Sequence, residues 1–579
     1  MKKIMLGNEA VARGAYEAGL KVVSSYPGTP STEITECLAK YDDVYSEWAP
    51  NEKVATETAI GASVAGARAM TCMKHVGVNV AADPLFTVSY TGVNGGLVIC
   101  AADDQGMHSS QNEQDSRNYA KAAKIPMLEP ADSAECKEFT KQAFDISEKY
   151  DTPVFIRLST RVSHSQSIVE LNERVERENK EYVKDISKYV MMPASARKRH
   201  VVVEKRMEEL AALSESFAKK EINSKKIGII TAGIAYQYAK EALGGNASYL
   251  KLDMVNPLPV KAIKDFAAEV EKVYVIEELD PFIETHCKAI GADVFGKELF
   301  TLLGEYTPEM IKKAVLGEDG AQYVTMEENA PARPPVMCPG CPHRGMFYVL
   351  KKLGLRVCGD IGCYTLGAQP PLQSIDTVVC MGASIGMAHG MEKAVGEELS
   401  RKTVSVIGDS TFIHSGITGL IDMVYNHGHG TVIILDNSIT GMTGHQQNPT
   451  TGYTIKNEPA SKVNLITLAE AVGVEKEHIR VADPFDLENF EKVVREEINS
   501  MTPSVIISQR PCALLKYVKY DGMCKINPDK CKKCKMCLKL GCPAITVKGD
   551  LLEIDTSLCN GCGLCRNICK FSAIEKVGE

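Results

Sequence analysis

"TVSVIGDSTFIHSGITGLIDMVYNHGHGTVIILDNSITG", residues 403–441, contains two short and largely apolar runs, TVSVIGDS and TVIILDNS, each closing on an acidic or amide side chain. Strands covered on both faces read as near-continuous apolar runs rather than as an alternation. The pair therefore predicts neighbouring strands of a helix-covered parallel sheet, with a crossover helix between them. "DTVVCMG" (376–382) and "SVIISQR" (504–510) read as two further strands of the same sheet. In such sheets ligands bind at the carboxyl ends of the strands. Here those ends carry Gly408, Asp409 and Ser410, then Asn437 and Ile439, with twenty-six residues separating Ser410 from Asn437. A carboxylate and an amide carbonyl are the hard oxygen donors that Mg2+ takes beside phosphate. A helix beginning near Thr411 would aim its first amides at an anion. Gly-Asp after one strand is also ordinary turn chemistry; the second strand, ending in Asp-Asn, is what makes the pair a candidate site.

Outward from this stretch, residues 1–190 alternate helical patterns with apolar runs such as "KVVSSYPGTP", "ARAMTCMKHVG" and "GGLVICAADD", each ending in Gly, Pro or Asp. That is the pattern of a second parallel sheet. "SARKRHVVVEKRMEELAALSESFAKKEINSKK" (195–226) is charged and helix-prone and reads as a connector. Another α/β unit starts at "IGIITAG" and runs through "VYVIEELDPF". Pro331, Pro334 and Pro335 in "ENAPARPPVMCPGCPHRG" mark a linker. The expected class is α/β, with domains at 1–190, 191–330 and 331–515 and a cysteine-rich α+β domain at 520–579.

A chain of 579 residues is too long for one core. Its net charge of -8 offers no general basic field, which argues against nucleic acid or an anionic membrane as the main partner. The N-terminus reaches Asn8, Glu9 and Arg13 before any long apolar stretch, and no segment approaches the roughly 18 apolar residues of a membrane span. A cytoplasmic protein is expected. Twenty cysteines in a reducing compartment do not form a disulfide framework, and eight of them lie between 531 and 569, so metal or cluster ligation is the better reading.

Those eight form two runs, Cys531, Cys534, Cys537, Cys542 and Cys559, Cys562, Cys565, Cys569. Zinc would more often take four ligands from two CxxC pairs. The tail resembles the two-cluster bacterial ferredoxins over about 55 residues, in which the fourth cysteine of each run serves the other cluster. The resemblance implies one 4Fe-4S cluster on Cys531, Cys534, Cys537 and Cys569, and a second on Cys559, Cys562, Cys565 and Cys542. Two departures stand out: Lys570 stands where proline is usual, and four residues rather than three precede Cys542, a change expected to alter the geometry or potential of the cluster that takes Cys542.

The Gly408-Asp409 and Asn437 spacing resembles the diphosphate motif of thiamine diphosphate enzymes. Resemblance implies that Asp409, Asn437 and the backbone carbonyl of Ile439 hold Mg2+, with Ser410 replacing a glycine. Such enzymes also use a glutamate that hydrogen-bonds the pyrimidine ring and so promotes deprotonation of the thiazolium carbon, which then attacks a 2-oxoacid. In "NEKVATETAIGASVAGARAMTCMKHVG" (51–77), Glu52 with Gly61 nine positions on fits that role, and Glu57 is the second choice.

"YPGTPSTE" (26–33), "MCPGCPHRG" (337–345) and "GDIGCYTLG" (359–367) resemble loops of the 2-oxoacid:ferredoxin oxidoreductases. The likeness gives Thr29 a substrate-side role and makes Gly340 and Gly362 cofactor-side residues. Cys338, Cys341, Cys363 and Cys512 match four cysteines that hold a third 4Fe-4S cluster beside the cofactor in several members. Members acting on pyruvate place an arginine for the substrate carboxylate where this chain has Asp103 and Asp104, so carboxylate recognition must differ. His75 could meet substrate, whereas His343, His414 and His445 more often cap or bond backbone.

Within the family the order of motifs is closest to large α subunits that act on indolepyruvate. The implied reaction is oxidative decarboxylation of aryl 2-oxoacids (indolepyruvate, with phenylpyruvate and hydroxyphenylpyruvate) with CoA, giving aryl-acetyl-CoA, CO2 and reduced ferredoxin. The implied partners are a smaller β subunit, in an αβ heterodimer or its duplicate, and ferredoxin. Lys530, Lys532, Lys533 and Lys535 would steer ferredoxin or form a solvated face. The rival readings are another 2-oxoacid, a non-oxidative thiamine lyase that would leave the tail unused, or an electron-transfer subunit with vestigial thiamine folds.

Overall fold

A computed structural model describes residues 1–318, 334–549 and 551–577. The chain divides into two compact units, Met1–Glu327 and Glu328–Glu579.

The first unit is built on a seven-stranded sheet in the order Met254–Asn256, Met127–Leu128, Val154–Ser159, Leu97–Asp103, Ala69–Lys74, Val22–Ser25, Tyr45–Trp48. All its pairings are parallel except that of the Met254–Asn256 strand, which adds antiparallel at one edge from within the stretch that otherwise forms a separate sheet. Alternation across the pleat explains the apolar runs. Cys72, Cys100 and Ile156 lie side by side across three strands and pack into one core layer with Val23, Leu158 and Phe144. Met73, Ile99 and Phe155 enter the layer on the opposite face. Cys72, Cys100 and Cys136 are thus packing thiols, and burial raises the pKa of Cys100 and Cys136.

The expected connector is the helix Pro193–Ser214, with Val203, Arg206 and Leu210 buried. Arg206 ties it to the first sheet's helices by donating to the carbonyl oxygens of Asp151 (2.7 Å) and Ser89 (2.6 Å). The helix leads to the strand Ala218–Glu221, which runs antiparallel along the edge of a four-stranded sheet. The other three strands there, Ser248–Leu252, Ile227–Thr231 and Lys272–Ile276, are parallel.

The second unit carries a wholly parallel five-stranded sheet in the order Arg356–Cys358, Thr403–Gly408, Thr431–Asp436, Ser504–Gln509, Ile479–Ala482. One expectation fails: 376–382 is not a strand but a single bridge, Thr377 to Cys358. The Asp360 carboxylate captures the amides of Gly382 (2.8 Å) and Ser384 (3.1 Å), which turns the chain into the helix Ala383–Val395 before pairing can extend. Val379 is left 57% exposed. Of the expected linker, Pro331 lies outside the described residues; Pro334 and Pro335 have no regular secondary structure.

The tail has two short antiparallel pairs, Cys524–Ile526 with Ile574–Lys576 and Ile545–Lys548 with Leu551–Ile554. They close over a small core of Leu540, Ile545, Ile554, Leu564, Ile568 and Ile574 interleaved with cysteines. Among the described residues, no helix is long and apolar enough to cross a membrane.

Candidate functional site: a thiamine-type centre wired to cysteine sets

The parallel strands of the second unit deliver Asp409 and Asn437 to the same sheet edge, since Gly408 pairs with Leu435. A helical segment starts at Asp409 itself, slightly ahead of the expected Thr411. It passes through a π-helical turn, Phe412–Gly416, into the helix Ile417–Tyr425. Asp409 is buried. Its Oδ1 accepts from the Ser410 amide (2.9 Å) and its Oδ2 from the Thr450 hydroxyl (2.9 Å), which also lies 2.6 Å from Asn448 Oδ1. Burial, with Asp436 close by, pushes the Asp409 carboxyl up to about 7. No positive side chain pairs with it among the described residues, so a buried carboxylate and the neighbouring Asn437 amide form a donor set that fits a divalent cation. Tyr364 packs against both Gly362 and Gly408 and donates to the Ile361 carbonyl oxygen (3.0 Å), which docks the 359–364 loop on the Asp409 turn.

Four of the cysteines outside the tail, Cys338, Cys341, Cys363 and Cys512, gather beside this turn. Cys338 and Cys363 lie near enough to Cys341 to act on its charge, and Cys512 and Cys338 act likewise on Cys363. The Cys512 amide donates to the Asn437 carbonyl oxygen at 2.9 Å, and a side chain at Gly441 would touch both Cys363 Sγ and Asn437 Nδ2. His445 Nε2 stands 3.9 Å from Cys512 Sγ. His343 is buried edge-on to Tyr364, and burial lowers it to about 4; His414 bonds Ser415 Oγ at 2.8 Å.

In the tail, Cys531, Cys534 and Cys569 lie near Cys537, whereas Cys542, Cys524 and Cys559 lie near Cys562, and Cys524, Cys562 and Cys542 lie near Cys565. The groupings bring together the residues of each expected crossed set, with Cys524 added to the second. Cys524 is a fifth thiol on the second set: its amide donates to Cys559 Sγ at 3.4 Å. Lys530 pairs with Glu575 (2.7 Å), and Lys532, Lys533 and Lys535 are exposed.

In the first unit Glu52 opens the helix Glu52–Val64 behind an Asn51 cap and is 4% exposed, whereas Glu57 is a surface residue paired with Lys53. The helix His75–Val80 passes so close that a Cβ on Gly77 would stand 2.7 Å from Glu52 Oε1. Thr29, in the loop after the strand Val22–Ser25, accepts through its carbonyl oxygen from Ser109 Oγ (3.3 Å). Asp104 organises the following loop, its oxygens taking the Ser109 amide (2.8 Å), Ser110 Oγ (2.6 Å) and Thr160 Oγ1 (2.8 Å). Asp103 is locked to Arg157 (2.7 Å). His75 is buried, Nε2 lies 3.1 Å from the Asn112 carbonyl oxygen, and burial lowers its pKa. Reading the chain alone missed Lys74, Arg344 and Thr450. Lys74 had a usable signal, since it ends a strand of a parallel sheet.

Two thiamine-type α/β domains and a ferredoxin-type tail in one chain define a thiamine diphosphate-dependent oxidoreductase that couples 2-oxoacids to ferredoxin. Residues 13–221 match the family described as "Pyruvate flavodoxin/ferredoxin oxidoreductase, thiamine diP-bdg", 360–508 match "Thiamine pyrophosphate enzyme, C-terminal TPP binding domain", and 552–575 match "4Fe-4S binding domain". Indolepyruvate oxidoreductase subunit IorA of Archaeoglobus fulgidus is 41% identical over 99% of this chain and 97% of its own length; that of Pyrococcus horikoshii is 40% identical over 100% and 97%. The chain belongs to this indolepyruvate oxidoreductase IorA family. A solved 2-oxoglutarate:ferredoxin oxidoreductase from Magnetococcus marinus aligns with a TM-score of 0.47 at 19% identity, over 55% of this chain and 65% of that one.

Proposed function

We propose that the protein oxidatively decarboxylates aryl 2-oxoacids, chiefly indolepyruvate, with CoA, to give the aryl-acetyl-CoA, CO2 and reduced ferredoxin. The observation that supports this reading is the 2.9 Å bond from the Cys512 amide to the Asn437 carbonyl oxygen, which holds the backbone of a candidate cluster cysteine to that of a candidate Mg2+ ligand. Thiamine diphosphate supplies the electron sink for the carbon from which CO2 departs. Asp409, Asn437 and the Ile439 carbonyl would hold Mg2+, with Ser410, Gly408, Gly340 and Gly362 as cofactor-side residues. In the first unit, taken by itself, Glu52 would be the carboxyl group that hydrogen-bonds a pyrimidine ring and so promotes the activating proton transfer, and Thr29 would be a substrate-side residue. Cys338, Cys341, Cys363 and Cys512 would hold one 4Fe-4S cluster and the tail cysteines two more, which would supply one-electron acceptors for the two electrons released. CoA capture falls to a smaller β subunit, and the complex works in the cytoplasm.

The test is anaerobic reduction of a low-potential dye by the chain plus its small partner, with thiamine diphosphate, CoA and a panel of 2-oxoacids. Aryl substrates should lead the panel. Glu52→Ala should lower 2-oxoacid-dependent reduction by about 100-fold or more with iron content unchanged. Indifference to that substitution would leave only an electron-transfer module. Iron of about twelve atoms per chain supports three clusters, and about eight removes the one at Cys338.

A further inference from the structure

We infer that Lys74 is the anchor for the substrate carboxylate. This rests on the functional reading above and names the group that takes the place of the missing arginine.

Lys74 ends the interior strand Ala69–Lys74, between the strands that end in Ser25 and Asp103, at the carboxyl edge where ligands of open α/β sheets bind. It is 9% exposed, a rare state for lysine unless its charge is paired. Yet its Nζ makes one hydrogen bond, to the Ser109 carbonyl oxygen at 2.9 Å, and among the described residues it forms no ion pair. An ammonium has three donors, so two remain for a ligand. The charges of Asp104 and Glu52 act on it from a distance, and Asp104's own oxygens are engaged by Ser109, Ser110 and Thr160. Burial pushes Lys74 below the ordinary lysine value, the strain of a cation short of an anion.

Its surroundings are the expected substrate-side residues. A Cβ on Gly28 would meet the Lys74 Cβ, Cγ and Cδ at 3.5–3.6 Å, so the 26–30 loop rests on the lysine stem. Ser109, which accepts from Lys74 through its carbonyl, donates through its hydroxyl to the Thr29 carbonyl. The neighbouring arginines are committed elsewhere. Arg157 holds Asp103 and Glu129, and Arg117 holds Asp115 and Glu277, all at 2.6–2.7 Å. Arg161 is held by Glu305. Arg157 keeps one buried nitrogen, Nη2, without a hydrogen-bond partner, but its charge is already matched by two carboxylates. Among the described residues Lys74 is the buried cation beside the Thr29 loop whose charge no carboxylate pairs. As a compact charge rather than a planar fork, it would fix the position of a carboxylate without fixing its plane.

The test uses the complex of this chain with its small partner, loaded with thiamine diphosphate and clusters. Lys74→Met should lower kcat/KM for indolepyruvate by about 100-fold, mostly through KM, whereas Lys74→Arg should retain activity within about tenfold. Indole-3-propionate and its primary amide, used as competitive inhibitors, separate anchoring from structure. The carboxylate should lose about 30-fold or more in the Met variant and the amide less than threefold. Iron and bound thiamine diphosphate should match wild type; if Lys74→Met does not fold, Lys74→Gln carries the same comparison. Equal loss for both inhibitors, or for neither, overturns the assignment. A wild-type complex inert toward every 2-oxoacid overturns the functional reading and this inference with it, whereas an active wild type with an unaffected Met variant overturns this inference alone.

Discussion

Arg344 donates from Nη1 to the carbonyl oxygen of Gly541 at 2.6 Å, joining the loop of Cys338 and Cys341 to the tail beside Cys542. The same buried guanidinium donates to the carbonyl oxygens of Leu540 (3.0 Å), Cys338 (3.2 Å) and Met337, and Asn560 Nδ2 donates to Pro339 O at 3.0 Å across the same seam. Gly340 sits at φ +73, where a side chain would strike Asn560. Two cysteine sets are thereby held on either side of one positive charge.

Removing that charge should make the clusters proposed for these two sets harder to reduce. Arg344→Met should lower their midpoint potentials by roughly tens of millivolts, by a Coulomb argument at intermediate dielectric, and slow 2-oxoacid-dependent dye reduction. Arg344→Lys should keep most of the potential but lose the multiple carbonyl contacts. Redox titration followed by electron paramagnetic resonance distinguishes the two; unchanged potentials in the Met variant would count against a tuning role.

Gly77 is where the backbone makes room for Glu52. Gly77→Ala should displace the Glu52 carboxylate and lower kcat by about 10- to 100-fold, in line with misplacement of a catalytic group by about 1 Å. Overpacking should cost about 1–3 kcal/mol of stability. Near-normal turnover would mean that the carboxylate is not used where it lies.

Thr450 orients Asp409 through the 2.9 Å bond to Oδ2. Thr450→Val preserves shape and deletes that bond, and should weaken Mg2+ retention by about 10- to 100-fold without altering the iron. Titration of the apoprotein with Mg2+ at fixed thiamine diphosphate, read by circular dichroism, measures this directly.

Glu278 provides a pH signature in the first unit. Burial, aided by Glu305 and opposed by the Tyr306 amide, raises its carboxyl to about 7 from the usual 4.5. The folded state thus prefers the neutral form. Its contribution is fully present below about pH 4.5, fades as pH rises, and is gone above about 7, a span of roughly 3 kcal/mol at most. Glu278→Gln keeps an acceptor for Tyr306 and removes the slope. The variant's thermal midpoint, read on the intact protein by calorimetry, should gain on wild type progressively from pH 5 to 8; a constant difference would refute the assignment.

Part of the fold could be read from the chain. That Asp409 and Asn437 share one sheet edge was legible because a parallel sheet delivers its strand ends to the same side. That the tail is of 4Fe-4S type was legible because its cysteines recur at short, regular spacing. The strand expected at 376–382 was not, since its apolar residues say nothing of Asp360, which lies earlier in the chain and captures the amides of Gly382 and Ser384. Cys524 lacked the CxxC spacing of its neighbours and joins them only because the strand Cys524–Ile526 pairs with Ile574–Lys576.

Local chemistry, written in short motifs, determined the class: two thiamine-type sheets, a cluster-binding tail and the side chains at their strand ends. Which charges remain available was a matter for the tertiary structure alone. Arg157 and Arg117 are quenched by Asp103, Asp115, Glu129 and Glu277, partners up to 160 residues away, while Lys74 is buried with one neutral acceptor. Sequence records that a cation exists; only packing decides whether an anion already occupies it, because pairing depends on distances between strands and loops that no local pattern encodes.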